Sequence, residues 1–131
     1  MTIVGIGIDI IENERIKKSI INKSFLNRIF TKQEILYANK KKNKSNYYAK
    51  RFVAKEAFVK ALGIGFRNKI NFKDIAITND KLGKPSFLIT KKIKMLIKKK
   101  FNTRNYNFFL SIADEKKYSI ALVLFQNNEN E

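Results

Sequence analysis

Two carboxylates and a group of cations are the residues of this chain best equipped for chemistry. Asp9 ends the run Gly5-Ile-Gly-Ile-Asp, and Glu56 lies inside Arg51-Phe-Val-Ala-Lys-Glu-Ala-Phe-Val-Lys60. Carboxylate oxygens suit a hard divalent cation such as Mg²⁺. Arg51, Lys55 and Lys60 suit phosphate oxygens. A metal that neutralises charge, with cations that position the reacting group, is what attack on a phosphoryl group requires. Asp9 and Glu56 are therefore the expected metal ligands. The plainer reading is an i, i+4 ion pair between Glu56 and Lys60 that only supports a helix.

The sequence contains no histidine and no cysteine. A Ser-His-Asp triad, an imidazole base, a thiolate nucleophile, a disulfide and a zinc site are all excluded. A general base must be a carboxylate, Lys, Tyr or a bound water. The absence of cysteine agrees with a reducing cytoplasm, the expected compartment. With 131 residues, 44% hydrophobic content and eleven Phe, the chain is expected to form one globular domain over residues 1–131. No apolar run approaches the roughly 20 residues of a membrane span, and no basic segment precedes the apolar residues 2–11, so neither a membrane anchor nor a signal peptide is expected. The net charge of +17 favours anionic partners, among them nucleic acid, an acidic protein or a phosphorylated small molecule.

The elements that must carry these residues follow from periodicity. Residues 3–11 alternate as a strand, with Val4, Ile6, Ile8 and Ile10 on a face that reads as core and Gly5, Gly7 and Asp9 on a bared face. Residues 12–30 read as helix, with a break at Asn22-Lys23-Ser24 and a basic outer side that includes Arg15 and Arg28. Thr31-Lys-Gln-Glu34 is a capping box that opens a short helix. Lys40 to Asn46 reads as a loop. Residues 51–63 form a helix that is apolar nearly all round, hence buried, with Gly63 as its C-cap. Gly63 and Gly65 could let backbone N–H groups approach a phosphate. Phe72–Thr78 and Ser86–Ile89 are strands around the turn Asn79-Asp-Lys-Leu-Gly-Lys-Pro85. Lys91–Phe101 is an amphipathic helix, and residues 106–113 and 118–125 are two further strands. Residues 126–131 are polar and expected to fray.

Gly5-Ile-Gly-Ile-Asp-Ile-Ile-Glu12 with Arg15, Arg51-Phe-x-x-Lys-Glu-Ala-Phe-x-Lys60-Ala, and Gly83-Lys-Pro85 together resemble the holo-acyl-carrier-protein synthase family of small phosphopantetheinyl transferases. The resemblance runs from the first strand to the last. It implies an α+β, single-domain, 4′-phosphopantetheinyl transferase-like fold in which an antiparallel sheet packs with a long buried helix. It also implies Mg²⁺-dependent transfer of 4′-phosphopantetheine from coenzyme A to a serine of apo acyl carrier protein. The by-product would be adenosine 3′,5′-bisphosphate, and the process served fatty-acid biosynthesis. On this likeness Asp9 and Glu56 bind Mg²⁺, Arg51 and Lys60 contact coenzyme A phosphates, and Gly83, Lys84 and Pro85 line its nucleotide side. Lys55, Gly63 and Gly65 join the expected coenzyme A set from their residue types alone. Lys60 would stabilise the leaving phosphate, and Glu56 or a bound water would take the serine proton. Arg15, with Arg28 on the same basic side, would meet the acidic carrier protein. The family implies a homotrimer with sites at subunit interfaces. One departure stands out: Ser111-Ile-Ala-Asp114 carries Asp where the family's pattern has His, near the nucleotide.

Two rivals remain on sequence grounds. A small basic nucleic-acid-binding protein would place exposed aromatics among its basic residues, whereas the aromatics here fall mainly at core positions, so no nucleic-acid partner is expected. A catalytically impaired relative would keep the fold and lose activity through Asp114.

Overall fold

The computed structural model describes residues 1–65 and 70–129. The elements run β1 (Thr2–Glu12), α1 (Asn13–Ser19), α2 (Lys23–Ile29), α3 (Lys32–Ala38), α4 (Lys44–Leu62), a 3₁₀ turn (Phe72–Asp74), β2 (Ile75–Asn79), β3 (Pro85–Ile89), α5 (Lys91–Phe101), β4 (Tyr106–Asp114) and β5 (Tyr118–Asn127). The fold is α+β. Strands β1, β5 and β4 form one antiparallel sheet with β5 central, and β2–β3 is a separate hairpin. None of the described helices is long and apolar enough to cross a membrane.

Local signals set most of the boundaries. The Asn22 side chain accepts hydrogen bonds from the N–H groups of Ser24 and Phe25, which ends the first helical stretch and starts α2. The Thr31–Glu34 capping box forms with both of its bonds, at 3.1 and 2.9 Å. Helix α4 starts earlier than its apolar pattern suggests. The Asn43 side chain accepts from Asn46 N–H, so the basic run read as a loop from Lys40 to Asn46 already enters the helix at Lys44. Gly63 ends α4 in the left-handed region at φ 67° and donates its N–H to Lys60 O and Val59 O. The strand expected from Phe72 begins only at Ile75, because Asn71 N–H donates to the Asp74 carboxylate and winds a 3₁₀ turn first.

Helix α4 lies across the sheet and buries Val53, Ala54, Ala57, Phe58, Ala61 and Leu62. Phe58 meets Phe108 and Phe87, with ring centroids 4.6 Å apart in each case. The face of β1 that meets α4 is the glycine face, which corrects the sequence reading. Gly5, Gly7, Asp9 and Ile11 point at the helix beside the buried Phe125, Val123, Ala121 and Ser119 of β5. Ile6 is 60% exposed, and Ile8 and Ile10 are each 57% exposed. Alternation reveals that the two faces differ, but it cannot reveal which one the helix covers. The tail also differs from expectation. Gln126 and Asn127 remain paired in β5, and the Glu129 carboxylate accepts from Arg104 N–H, so fraying does not begin at residue 126.

Candidate active site

The site follows from how closely β1 and α4 approach. A Cβ added to Gly5 would lie 1.8 Å from Ala61 O, and one added to Gly7 would lie 1.9 Å from Ala57 O. The two glycines therefore let the backbone of α4 rest directly on the strand, with alanines opposite them. Glu56 and Lys60 each precede one of those alanines, and Asp9 follows Gly7 by two residues on the same face. Backbone contact thus brings three distant side chains together.

Lys60 Nζ donates to Asp9 Oδ1 at 3.1 Å and to Ile8 O at 3.0 Å. Asp9 and Glu56 line a single cavity of about 310 Å³, together with Arg15, Phe25 and Phe52. Burial pushes the Glu56 carboxyl above the ordinary glutamate range, and the nearby Asp9 charge pushes it further, while Lys60 draws it back. Two hard oxygen donors whose charges repel across one cavity fit a divalent cation. Among the described residues no cluster of three or more potential ligands exists. Mg²⁺ suits such a pair, since it usually takes one or two carboxylates and completes its shell with water and phosphate oxygens.

Arg51 belongs to a second cavity. It is 4% exposed, its Nε donates to the Tyr47 hydroxyl, and its guanidinium stacks on the Tyr47 ring at 4.7 Å. A terminal nitrogen donates to Asn79 Oδ1, and Asn79 Nδ2 donates to Gly83 O. Arg51 and Gly83 thereby share a cavity of about 180 Å³ with Lys41 and Lys50. Of the Gly83-Lys84-Pro85 segment, Lys84 is exposed in the turn and Pro85 opens β3, and neither lines that cavity. Arg51 and Glu56 are five positions apart, about 140° around a helix. The two cavities consequently open on different sides of α4.

Lys55 corrects an expectation. Its side chain is fully buried, and its three ammonium protons go to Glu34 Oε1 at 2.7 Å, Ile29 O at 2.8 Å and Phe72 O at 3.1 Å. No proton remains for a phosphate. Glu34 completes the knot by accepting from Thr31 N–H and Ile77 N–H. Gly63 is similarly committed, since its N–H caps α4. Gly65 has φ 60°, and residues 66–69 lie outside the described residues. Arg15 is exposed at the Asp9–Glu56 cavity, whereas Arg28 lines a different one beside Asn71 and Lys73. Asp114 accepts from Asn46 Nδ2 at 2.8 Å, which ties it to the start of α4.

Sequence reasoning missed the holders of Arg51. Tyr47 sits four residues before it, a helical spacing that could have signalled the contact. Asn79 carried no local signal, because the bond spans 28 residues. Phe25 and Phe52, partly buried against the core, are also cavity walls.

With this geometry in place, comparison with known proteins is informative. Residues 5–123 match the 4′-phosphopantetheinyl transferase superfamily. A holo-[acyl-carrier-protein] synthase of Pelagibacter ubique is 60% identical over 126 residues, covering 96% of this chain and 98% of the relative. One from Clostridium botulinum is 45% identical, covering 93% of this chain and 96% of its own. The crystal structure of the Neisseria meningitidis holo-[acyl-carrier-protein] synthase superposes with a TM-score of 0.85 at 36% identity, covering 96% of this chain and all of that one. The Bacillus anthracis holo-(acyl-carrier-protein) synthase, solved in complex with CoA (3′,5′-ADP), gives 0.80 at 35% identity, covering 98% of this chain and 100% of that one.

Proposed function

Because the chain belongs to the 4′-phosphopantetheinyl transferase superfamily, and within it to the holo-[acyl-carrier-protein] synthases, we propose that Asp9, Glu56 and Lys60 are the centre of a Mg²⁺-dependent transfer from coenzyme A to apo acyl carrier protein. The observation that carries this reading is the meeting of Asp9 and Glu56 in one cavity, with Lys60 bonded to Asp9. Asp9 and Glu56 would hold Mg²⁺, which when bound would supply charge neutralisation for the pyrophosphate.

The chain's own residues do the rest. Lys60, half-exposed beside Asp9, swings its ammonium onto the phosphate oxygens as coenzyme A enters. A carrier serine oxygen bonds to the phosphorus that bears pantetheine, and the bond from that phosphorus to the leaving adenosine 3′,5′-bisphosphate breaks. Lys60 balances the charge that builds on the leaving group. The Glu56 carboxylate, made more basic than an ordinary glutamate by burial and the Asp9 charge, accepts the serine proton. The aromatic walls Phe25 and Phe52 keep water away from the exchange. Arg15 at the cavity rim attracts the acidic carrier, and a net charge of +17 speeds the encounter with both polyanionic substrates.

We assign the active form to a homotrimer. The support is an apolar sheet face left uncovered in the protomer, where Leu124 lies between Ile6 and Phe109, and Ile8 lies beside Leu122. Such a face marks an association surface. Assembly would also let the Arg51–Gly83 cavity of one protomer serve the nucleotide end of coenzyme A bound at a neighbour's Asp9–Glu56 cavity. The reaction belongs to the cytoplasm and to fatty-acid biosynthesis on this reading. The test is mass spectrometry of apo acyl carrier protein after incubation with the enzyme, coenzyme A and Mg²⁺. A gain of one phosphopantetheine group is expected, and an unchanged mass for a carrier that another transferase can modify would overturn the assignment.

A further inference from the structure

Helix α5 has a face that neither the core nor the proposed chemistry uses. Ile93 and Ile97 are buried at 1% and 0% exposure. On the other side Lys91, Lys94 and Lys98 recur at helical spacing and line a groove of about 520 Å³ with Lys99, Arg104 and Tyr106. Met95 also lines the groove and is 64% exposed. The groove shares no residue with either cavity on α4. It is anchored to the end of α4, since Lys100 Nζ donates to Gly63 O at 3.2 Å.

The charges in this groove are unusually uncompensated. No carboxylate lines it among the described residues, and none of its five cations forms an ion pair with a described residue. Lys98 donates to a neutral acceptor, Asn102 Oδ1, and so keeps its full charge. Glu129, pinned by its hydrogen bond from Arg104 N–H, feels the field of Lys98, which among the described residues leaves one negative charge against five positive. Lys92, by contrast, points away and pairs with Asp74. Between the cations lies apolar surface. Tyr106 is held by edge contacts with Phe108 and Phe125, and together with Met95 and the lysine stems it offers an apolar bed. Cations alone would favour any anion, whereas cations around an exposed apolar bed favour an anion with an apolar body.

We propose that this groove binds an amphipathic anion, a molecule with an alkyl body and a phosphate or carboxylate head. The body rests on Met95 and Tyr106, and the head meets Lys94, Lys98 and Arg104. At about 520 Å³ the groove has the size that holds a single small molecule. The bilayer source of the same chemistry is separated by experiment.

Calorimetric titration of the full chain with dodecyl phosphate, kept below its micelle concentration, reads the interaction. One saturable site per chain is expected, bound about tenfold or more tighter than inorganic phosphate (1.4 kcal/mol per tenfold). Lys94→Gln with Lys98→Gln should weaken it about tenfold, and Met95→Asn should erase much of the advantage over inorganic phosphate. All these variants should keep full transferase activity, which reports an intact fold without touching the α4 cavities. Equal binding of dodecyl phosphate and inorganic phosphate would overturn the proposal, as would variants that bind like the wild type. Retention only on phosphatidylglycerol vesicles, with no binding of the monomeric amphiphile, would also overturn the discrete site.

Discussion

Gly7 and Ala57 are in backbone contact, such that a methyl group on Gly7 would stand 1.9 Å from the Ala57 carbonyl oxygen. This contact fixes the height of α4 above β1 and therefore the reach of Glu56 and Lys60 to Asp9. Gly7→Ala must push the helix away, because the obstructing atom is backbone. A stability loss of about 1–3 kcal/mol is expected, in line with overpacking of a tight contact. Activity should fall by a larger factor than that loss alone explains, since Glu56 and Lys60 would both move away from Asp9. Urea unfolding and kcat/KM check this, and an unchanged unfolding midpoint would contradict it.

The buried Lys55–Glu34 pair separates a structural lysine from a phosphate-binding one. Lys55→Met should destabilise the protein by about 3–5 kcal/mol, because it strands the Glu34 charge in the core. Adding Glu34→Gln should recover part of the loss. A double-mutant cycle by chemical denaturation measures the coupling. Unchanged stability in Lys55→Met, with a raised KM for coenzyme A, would return Lys55 to the phosphate site.

Glu56 gives the pH dependence of the metal-free protein. Its carboxyl titrates above the ordinary glutamate range because of burial and the Asp9 charge. Between the ordinary value and the raised one, the folded chain holds a proton that the unfolded chain has released. The contribution of Glu56 to stability is thus present at low pH and falls as pH rises across that window. Asp9→Asn removes the repulsion and should lower the Glu56 pKa, as read by NMR titration of its side-chain carboxyl. A Glu56 pKa that stays put in Asp9→Asn would show the two groups do not sense each other.

The uncovered sheet face predicts assembly. Ile8 is 57% exposed in the protomer and lies between Ile6 and Ile10 on the same face. Ile8→Glu should yield a folded monomer of low activity, because a charge in an apolar contact has no partner. Sedimentation analysis should find a trimer for the wild type. A monomeric wild type, or a trimeric Ile8→Glu protein, would contradict the assignment.

Much of this architecture could be read from the chain, because its signals are local. The Thr31–Glu34 capping box, the Asn22 break and the Gly63 cap each act within four residues of themselves, and all three form. The pairing of Asp9 with the α4 segment was legible for another reason: a carboxylate and two glycines are poor strand residues unless something comes close. What stayed hidden depends on distant partners. Nothing near Lys55 announces that Glu34, 21 residues earlier, will take its charge into the core. The alternating strand β1 likewise has two faces suited to contact, and only packing decides that the glycines meet α4 within the protomer while the isoleucines remain open. Asn43 moved the start of α4 into a basic run because a cap can override an unpromising composition.

The central claim is that Asp9 and Glu56 jointly hold one divalent ion. Electron paramagnetic resonance of Mn²⁺, titrated into the wild type, Asp9→Asn and Glu56→Gln with coenzyme A present, tests it most directly. The account expects one bound ion per active site in the wild type and a loss of about tenfold or more in affinity in each variant, as removal of one of two charged ligands implies. Wild-type affinity and stoichiometry in either variant would contradict it.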